Sequence, residues 1–189
     1  MYTPHTFSIP ELKGISKQTI DEHIKLYEGY VKNTNMILET IPTNNPYTTA
    51  ELQRRLAFEF CGMRNHEYYF ASLEGGTQPL AEESSLKQAI EKQWGSFDTW
   101  LSQFKNLAKT RGVGWAILVH DPKTNTLLNS WVDEQHLGHL ISTTPILALD
   151  MWEHSFVADY KPSGKGQYID DFFDNLNWNK IEENFSQTQ

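Results

Sequence analysis

A single cysteine, Cys61, stands in the 189 residues, so no internal disulfide can form and a disulfide framework is excluded. Positive charge is scarce. The 16 Lys+Arg face 24 Asp+Glu, a formal net charge of −8, which argues against a nucleic-acid binder that gains affinity by neutralising phosphates. Long apolar runs are missing, and none approaches the roughly 20 residues of a membrane span. The opening Met1–Pro10 has neither a basic nor an apolar leader segment, so a soluble cytoplasmic protein is expected. Gly112-Val113-Gly114 lacks the other glycines of a dinucleotide or phosphate loop and carries no nucleotide meaning. Aromatic residues, by contrast, are plentiful: 6 Trp, 8 Tyr and 10 Phe, or 13% of the chain. They suit an aromatic core and the walls of a shielded chemical site.

The pattern along the chain predicts an α+β fold. An extended arm with Pro4, Pro10 and Gly14 leads to Ser16, a suitable N-cap. Ile20, His23, Tyr27, Tyr30 and Ile37 then recur at helical steps to about Thr40. A Pro/Asn loop over 41–47 precedes a second helix, about Thr49 to Leu73, with Leu52, Leu56, Phe60, Met63 and Tyr69 as its apolar stripe. The two form an antiparallel hairpin. Glu74–Pro79 reads as a linker, which divides the chain into a helical hairpin domain, 1–78, and a C-terminal α/β domain, 79–189. The second part has helices over 84–93 and 96–110. Strands follow over 114–120, 126–132 and 145–149, giving a three-stranded antiparallel sheet. Helices over 152–159 and 168–178 complete it.

The histidines divide by setting. His5 in the arm and His120 beside a turn read as surface residues, and His136 and His139 as solvated loop residues. His23, His66 and His154 lie in segments that look buried. Each taken singly fits a hydrogen-bonded core histidine better than a ligand. Asp150 ends an apolar strand and His154 follows four residues later, so both can face one point. A buried carboxylate needs a partner, because isolated burial of its charge is very costly. Three imidazoles and one carboxylate between the hairpin and the sheet would suit a mononuclear manganese or iron site. Zinc is compatible by ligand type but more often takes thiolates or keeps a fourth position open.

Asp150-Met-Trp-Glu-His154-Ser-Phe156 resembles the D-x-W-E-H-A-[FY] signature of the iron/manganese superoxide dismutase family. Asn65-His66-x-x-Tyr69-Phe70 is similar to its N-H-x-x-Y-W segment. Gly112–Val119, Asn177-Trp178 and Tyr30–Asn35 are similar to further stretches, in the family's order. The resemblance implies dismutation of superoxide at one manganese or iron ion per subunit, held by His23, His66, Asp150 and His154. It implies Tyr30 as a gateway at the mouth of a funnel. Trp115 and Trp152 would wall the pocket, with Tyr69 in the surrounding shell. Gln135 would be the glutamine beside metal-bound solvent, supplied from a loop rather than from helix 2, where Gly62 stands. That side of the family favours manganese. His136, one residue on, is the alternative register. Glu153 would reach the partner's metal site across a homodimer, with a tetramer also open and a solvated helix charge as its plain reading. Lys165 is a candidate for guiding the anionic substrate, or else a solvated loop lysine.

Two departures stand out. His23 and Tyr30 are seven residues apart where the family has eight, so the first helix is expected to run straight, without a bulge. The histidine that the family places between them is replaced by Leu26 or Tyr27, and its tyrosine partner by Val157. The alternative function is therefore a family-fold metal-binding or assembly protein with little turnover. A metal-dependent hydrolase is weaker, since no separate general base is evident.

Overall fold

The computed structural model describes residues 1–41 and 43–189. Pro42, inside the expected loop over 41–47, lies outside the described residues. Helix α1 (Lys17–Thr40) and helix α2 (Pro46–Ala71) form the hairpin. Ser16 caps α1 by accepting the Thr19 N–H, and Asn45 caps α2 by accepting from Tyr47 and Thr48 with Pro46 at the first turn. Helix α1 is uninterrupted over its 24 residues, as the seven-residue step predicts. His23 and Tyr30 therefore lie two straight turns apart.

Helices α3 (Ser85–Trp94) and α4 (Phe97–Ala108) lead into strands β1 (Gly114–Asp121), β2 (Thr126–Asp133) and β3 (Thr144–Asp150). The antiparallel sheet has the order β2-β1-β3. Central β1 is buried from Gly114 to His120, which explains its nearly continuous apolar sequence. Its register pairs Trp115 with Asp150. Directly opposed residues share a face, so this pairing puts the indole and the carboxylate on the same side of the sheet. The hairpin packs against that region through α2 and β3. The core between the layers is aromatic, with Tyr27, Tyr69, Phe70, Trp100, Trp115, Tyr168 and Phe172 fully buried.

Three expectations are corrected. The segment 152–159 is not a continuous helix but a single 3-10 turn, Glu153–Ser155, followed by turns. Local polar groups draw the chain around the end of β3: the Trp152 N–H donates to Asp150 Oδ1 at 2.8 Å, and Ser155 Oγ donates to the carbonyls of Asp150 and Trp152. The helix expected over 168–178 is two helices, α5 (Lys165–Asp174) and α6 (Trp178–Ser186). Between them the Asn175 side chain exchanges two hydrogen bonds with the Lys13 backbone, and Asn177 caps α6. His120 is buried rather than exposed, edge-on to Phe185 and bonded to Asn125 Oδ1 at 2.9 Å.

Candidate metal centre

The four expected ligands converge. His23 comes from α1, His66 from α2, Asp150 from the end of β3 and His154 from the 3-10 turn, and their ligand atoms all lie within 4.8 Å of one another. Asp150 Oδ2 is 3.1 Å from His23 Nε2, 3.2 Å from His154 Nε2 and 3.6 Å from His66 Nε2. His23, His66 and Asp150 are buried, while the His154 side chain keeps 23% of its surface exposed.

The protonation pattern decides what this cluster can hold. His66 Nδ1 lies 2.6 Å from the Gly62 carbonyl, an obligate acceptor, so Nδ1 carries the proton. His66 Nε2 therefore presents a lone pair, buried and without a hydrogen-bond partner, toward a carboxylate oxygen. Burial, helped by the neighbouring His23, pushes the His66 imidazole down to about 3, so it stays neutral. Burial raises the Asp150 carboxyl, but His154 and His23 more than offset it and hold it ionised, below the usual range. Two electron-pair donors facing each other in a dry site repel unless a cation lies between them. The donor set of three imidazoles and one carboxylate fits a single manganese or iron ion.

A second layer fixes these groups. Gln135 is fully buried. Its Oε1 accepts from Trp115 Nε1 at 2.9 Å, its Nε2 donates to the Tyr30 hydroxyl at 3.0 Å, and its carbonyl accepts from Asn65 Nδ2 at 3.0 Å. The preceding Glu134 has φ 52, a left-handed conformation uncommon for a side-chain-bearing residue, at the turn that aims Gln135 inward. Trp152 Nε1 donates to the Glu134 carbonyl at 3.1 Å and braces the same turn. The Tyr168 hydroxyl lies 2.9 Å from the Asp150 carbonyl and 3.3 Å from the Tyr69 hydroxyl. The Tyr30 ring centre is 5.0 Å from that of His66, and burial raises its phenol above the ordinary value. His136 is not drawn into this network. It packs edge-on against Phe58.

Glu153 is exposed, and its carboxylate accepts no hydrogen bond among the described residues. Lys165 stands apart, its ammonium donating to the Thr110 carbonyl at 2.7 Å. Tyr27 is the buried one of the two candidates for the missing histidine, whereas Leu26 is 43% exposed and Val157 44% exposed. Residue reasoning assigned no role to Tyr168, Asn65, Arg55 or Glu59. Asn65 stands in the segment that resembles the family's N-H-x-x-Y-W, and Arg55 and Glu59 have the i,i+4 spacing of opposite charges on α2, while nothing in the sequence marks Tyr168.

A helical hairpin laid on a short antiparallel sheet, with three histidines and an aspartate clasped between them, defines an α+β metalloprotein of mononuclear type. The family model for the C-terminal domain of iron/manganese superoxide dismutases matches residues 82–184. The chain is 34% identical over 181 residues to the manganese superoxide dismutase of Haloarcula marismortui, covering 92% of this chain and 87% of that protein. It is also 34% identical over 185 residues to the iron superoxide dismutase of Cupriavidus metallidurans, covering 93% and 91%. The chain belongs to the iron/manganese superoxide dismutase family.

Proposed function

We propose that this protein is a superoxide dismutase whose metal, manganese in preference to iron, is held by His23, His66, Asp150 and His154. The observation that carries the reading is the buried lone pair of His66 Nε2 aimed at Asp150, beside a glutamine–tyrosine pair. When bound, the ion supplies one-electron chemistry, alternating between +3 and +2, by which two superoxide anions and two protons become dioxygen and hydrogen peroxide.

The chain's own residues do the rest. Gly62 fixes the His66 tautomer, so that Nε2 is always ready to ligate. Trp115 holds the Gln135 amide in one orientation, and the amide in turn orients the Tyr30 hydroxyl. Because burial raises the Tyr30 phenol, that hydroxyl keeps its proton at neutral pH, available beside the metal pocket. Aromatic side chains, Trp115, Tyr69 and Phe70 among them, exclude water from the ligands.

The same reading includes a homodimer formed around Trp152-Glu153-His154. It is supported by the exposed Glu153 carboxylate, which has no partner among the described residues, next to the partly exposed His154. It also includes a boundary between a hairpin domain, 1–78, and a C-terminal domain, 79–189, supported by the start of the family match at residue 82. A cytoplasmic setting without nucleic-acid or membrane partners agrees with the lone Cys61 and the net charge of −8. No described helix is long and apolar enough to cross a membrane. The test is reconstitution of metal-depleted protein with manganese or iron, followed by a superoxide-decay assay. Dismutation is expected with manganese and more weakly with iron, and no activity with either would refute the reading.

A further inference from the structure

An anionic substrate and a chain of net charge −8 repel each other unless a local positive charge lies on the approach. Lys165 is poorly placed to supply it, since its ammonium is bound to the Thr110 carbonyl and burial lowers its basicity. One face of α2 offers another candidate. Arg55, Phe58, Glu59, Gly62 and His66 recur at three- and four-residue steps, so they form one stripe from solvent to the metal ligand. The Arg55 guanidinium lies 3.8 Å from the centre of the Phe58 ring. Phe58 is 6.0 Å from the Tyr30 ring and 5.7 Å from the His136 ring, and all three side chains are half-buried.

The charges of this stripe are ordered. Arg55 grips Glu59 Oε1 through Nε at 2.8 Å and Nη2 at 2.7 Å, and Asn33 Nδ2 donates to Glu59 Oε2 at 3.3 Å. The Arg55 side chain is 45% exposed but the Glu59 side chain only 5%, so the cation faces solvent and the carboxylate lies behind it. An anion arriving from outside meets the guanidinium first. Closer in, both charges are felt at the Tyr30 hydroxyl, where Glu59 and Arg55 act in opposite directions.

We propose that Arg55, seated on Phe58 and anchored by Glu59, is the positioning residue that draws superoxide to the mouth beside Tyr30, and that Glu59 opposes this attraction. The identity of the anion rests on the dismutase reading; the charge arrangement does not. Steering by a surface field raises association rates by about 10- to 1,000-fold in strong cases. One half-exposed charge should contribute roughly 3- to 10-fold at low salt, shrinking as the Debye length falls from about 30 Å at 0.01 M to about 8 Å at 0.15 M.

The experiment compares wild type, Arg55→Gln, Arg55→Lys and Glu59→Gln as full-length, manganese-loaded proteins. Superoxide decay is followed by pulse radiolysis across ionic strength, and the affinity for azide, an anion probe, is titrated by absorbance. Arg55→Gln should be slower at low salt and should speed up as salt rises, because the remaining field repels the anion, while Arg55→Lys keeps the wild-type rate and salt trend. Glu59→Gln should be faster than wild type and bind azide more tightly. Lys180→Gln, which removes a partly exposed cation paired with Glu183 on α6, should behave as wild type. Equal rates and equal azide affinities in wild type, Arg55→Gln and Glu59→Gln would overturn the proposal. So would a matched loss in both variants that lysine does not rescue, which would mark the pair as a prop for Phe58. If the wild type showed no turnover, the dismutase reading would fail, and the azide titration would still decide this inference.

Discussion

The Tyr30 ring fills the space that a side chain at Gly62 would need. A Cβ built at position 62 would lie 2.7 Å from the Tyr30 ring, closer than real Cβ contacts come. Helix α2 therefore cannot deliver a glutamine to this site while Tyr30 holds its place. The amide must come from elsewhere, and it comes from the loop after β2, as Gln135, hydrogen-bonded to the same Tyr30. Gly62→Ala should gain about 1 kcal/mol of helix propensity and lose about 1–3 kcal/mol to overpacking. The expected outcome is a lower Tm in thermal unfolding and a reduced dismutation rate, as Tyr30 is pushed off Gln135. An unchanged Tm and rate would show that the ring yields freely.

Removing a ligand should empty the site without unfolding the chain. His66→Ala and Asp150→Ala each take away one of four donors, and each leaves the other donors facing one another. Metal analysis of both purified variants is expected to show negligible manganese or iron, with near-native far-UV circular dichroism. Full metal occupancy in both would refute the ligand assignment.

Acid should destabilise the metal-free protein well above the range in which carboxylates titrate. The unfolded His66 titrates near 6.5 and the folded one near 3. Between those values the unfolded state binds more protons, so stability present above pH 6.5 is lost as pH falls toward 3, at about 1.4 kcal/mol per pH unit. Asp150, whose folded carboxyl is depressed, adds a further loss below its unfolded value of 3.8. Urea midpoints of the metal-free protein at pH 7 and pH 5 test this. No decline between them would mean that His66 accepts a proton in place.

Among the described residues Glu153 has no hydrogen-bond or ion-pair partner, and it sits next to His154, whose side chain is partly exposed. If a second copy receives it, Glu153→Ala should weaken association and metal retention together. Outer-shell partners of this kind typically alter metal affinity by roughly 10- to 100-fold. Sedimentation and a chelator challenge read the two effects. A monomeric wild type at micromolar concentration would contradict the interface.

The grouping of His23, His66, Asp150 and His154 was legible chiefly through the segments around Asp150–His154 and Asn65–His66 that resemble the family's, since each histidine taken singly fits a core residue better. Their convergence also needs long-range packing, since His23 and Asp150 are 127 residues apart and meet only where the hairpin lies on the sheet. The straight α1 was legible from a single spacing. The segment after Asp150 was not, because its path depends on hydrogen bonds from Ser155 and Trp152 back to Asp150 rather than on apolar periodicity. His120 was misread for a related reason: its polar neighbours form a turn, but Phe185, sixty-five residues away in the chain, closes over it. The Arg55–Glu59 pair was visible as a helical spacing, yet its position beside Tyr30 requires the packing of two helices.

Gln135 is the residue through which metal choice can be tested. A glutamine near metal-bound solvent favours one protonation state of that solvent and so shifts the reduction potential, to a degree set by how closely the amide approaches. Here the side-chain amide is fixed at two points, Trp115 holding its oxygen and Tyr30 its nitrogen, while Asn65 and His139 hold the residue's backbone carbonyl. The left-handed Glu134 commits the backbone to that approach. His136, the neighbouring alternative, is turned toward Phe58 and does not compete for the position. In the resemblance that the sequence carries, a loop-borne glutamine accompanies manganese, although relatives named for manganese and for iron are equally similar to this chain at 34% identity. Manganese-loaded protein should therefore dismutate superoxide faster than iron-loaded protein. Gln135→Ala should narrow that difference by moving both potentials, and it should release Tyr30. Reconstituting wild type and variant separately with each metal, and measuring both rate and reduction potential, tests the whole argument. Equal manganese and iron activities, with potentials unmoved by the substitution, would show that Gln135 does not tune the metal.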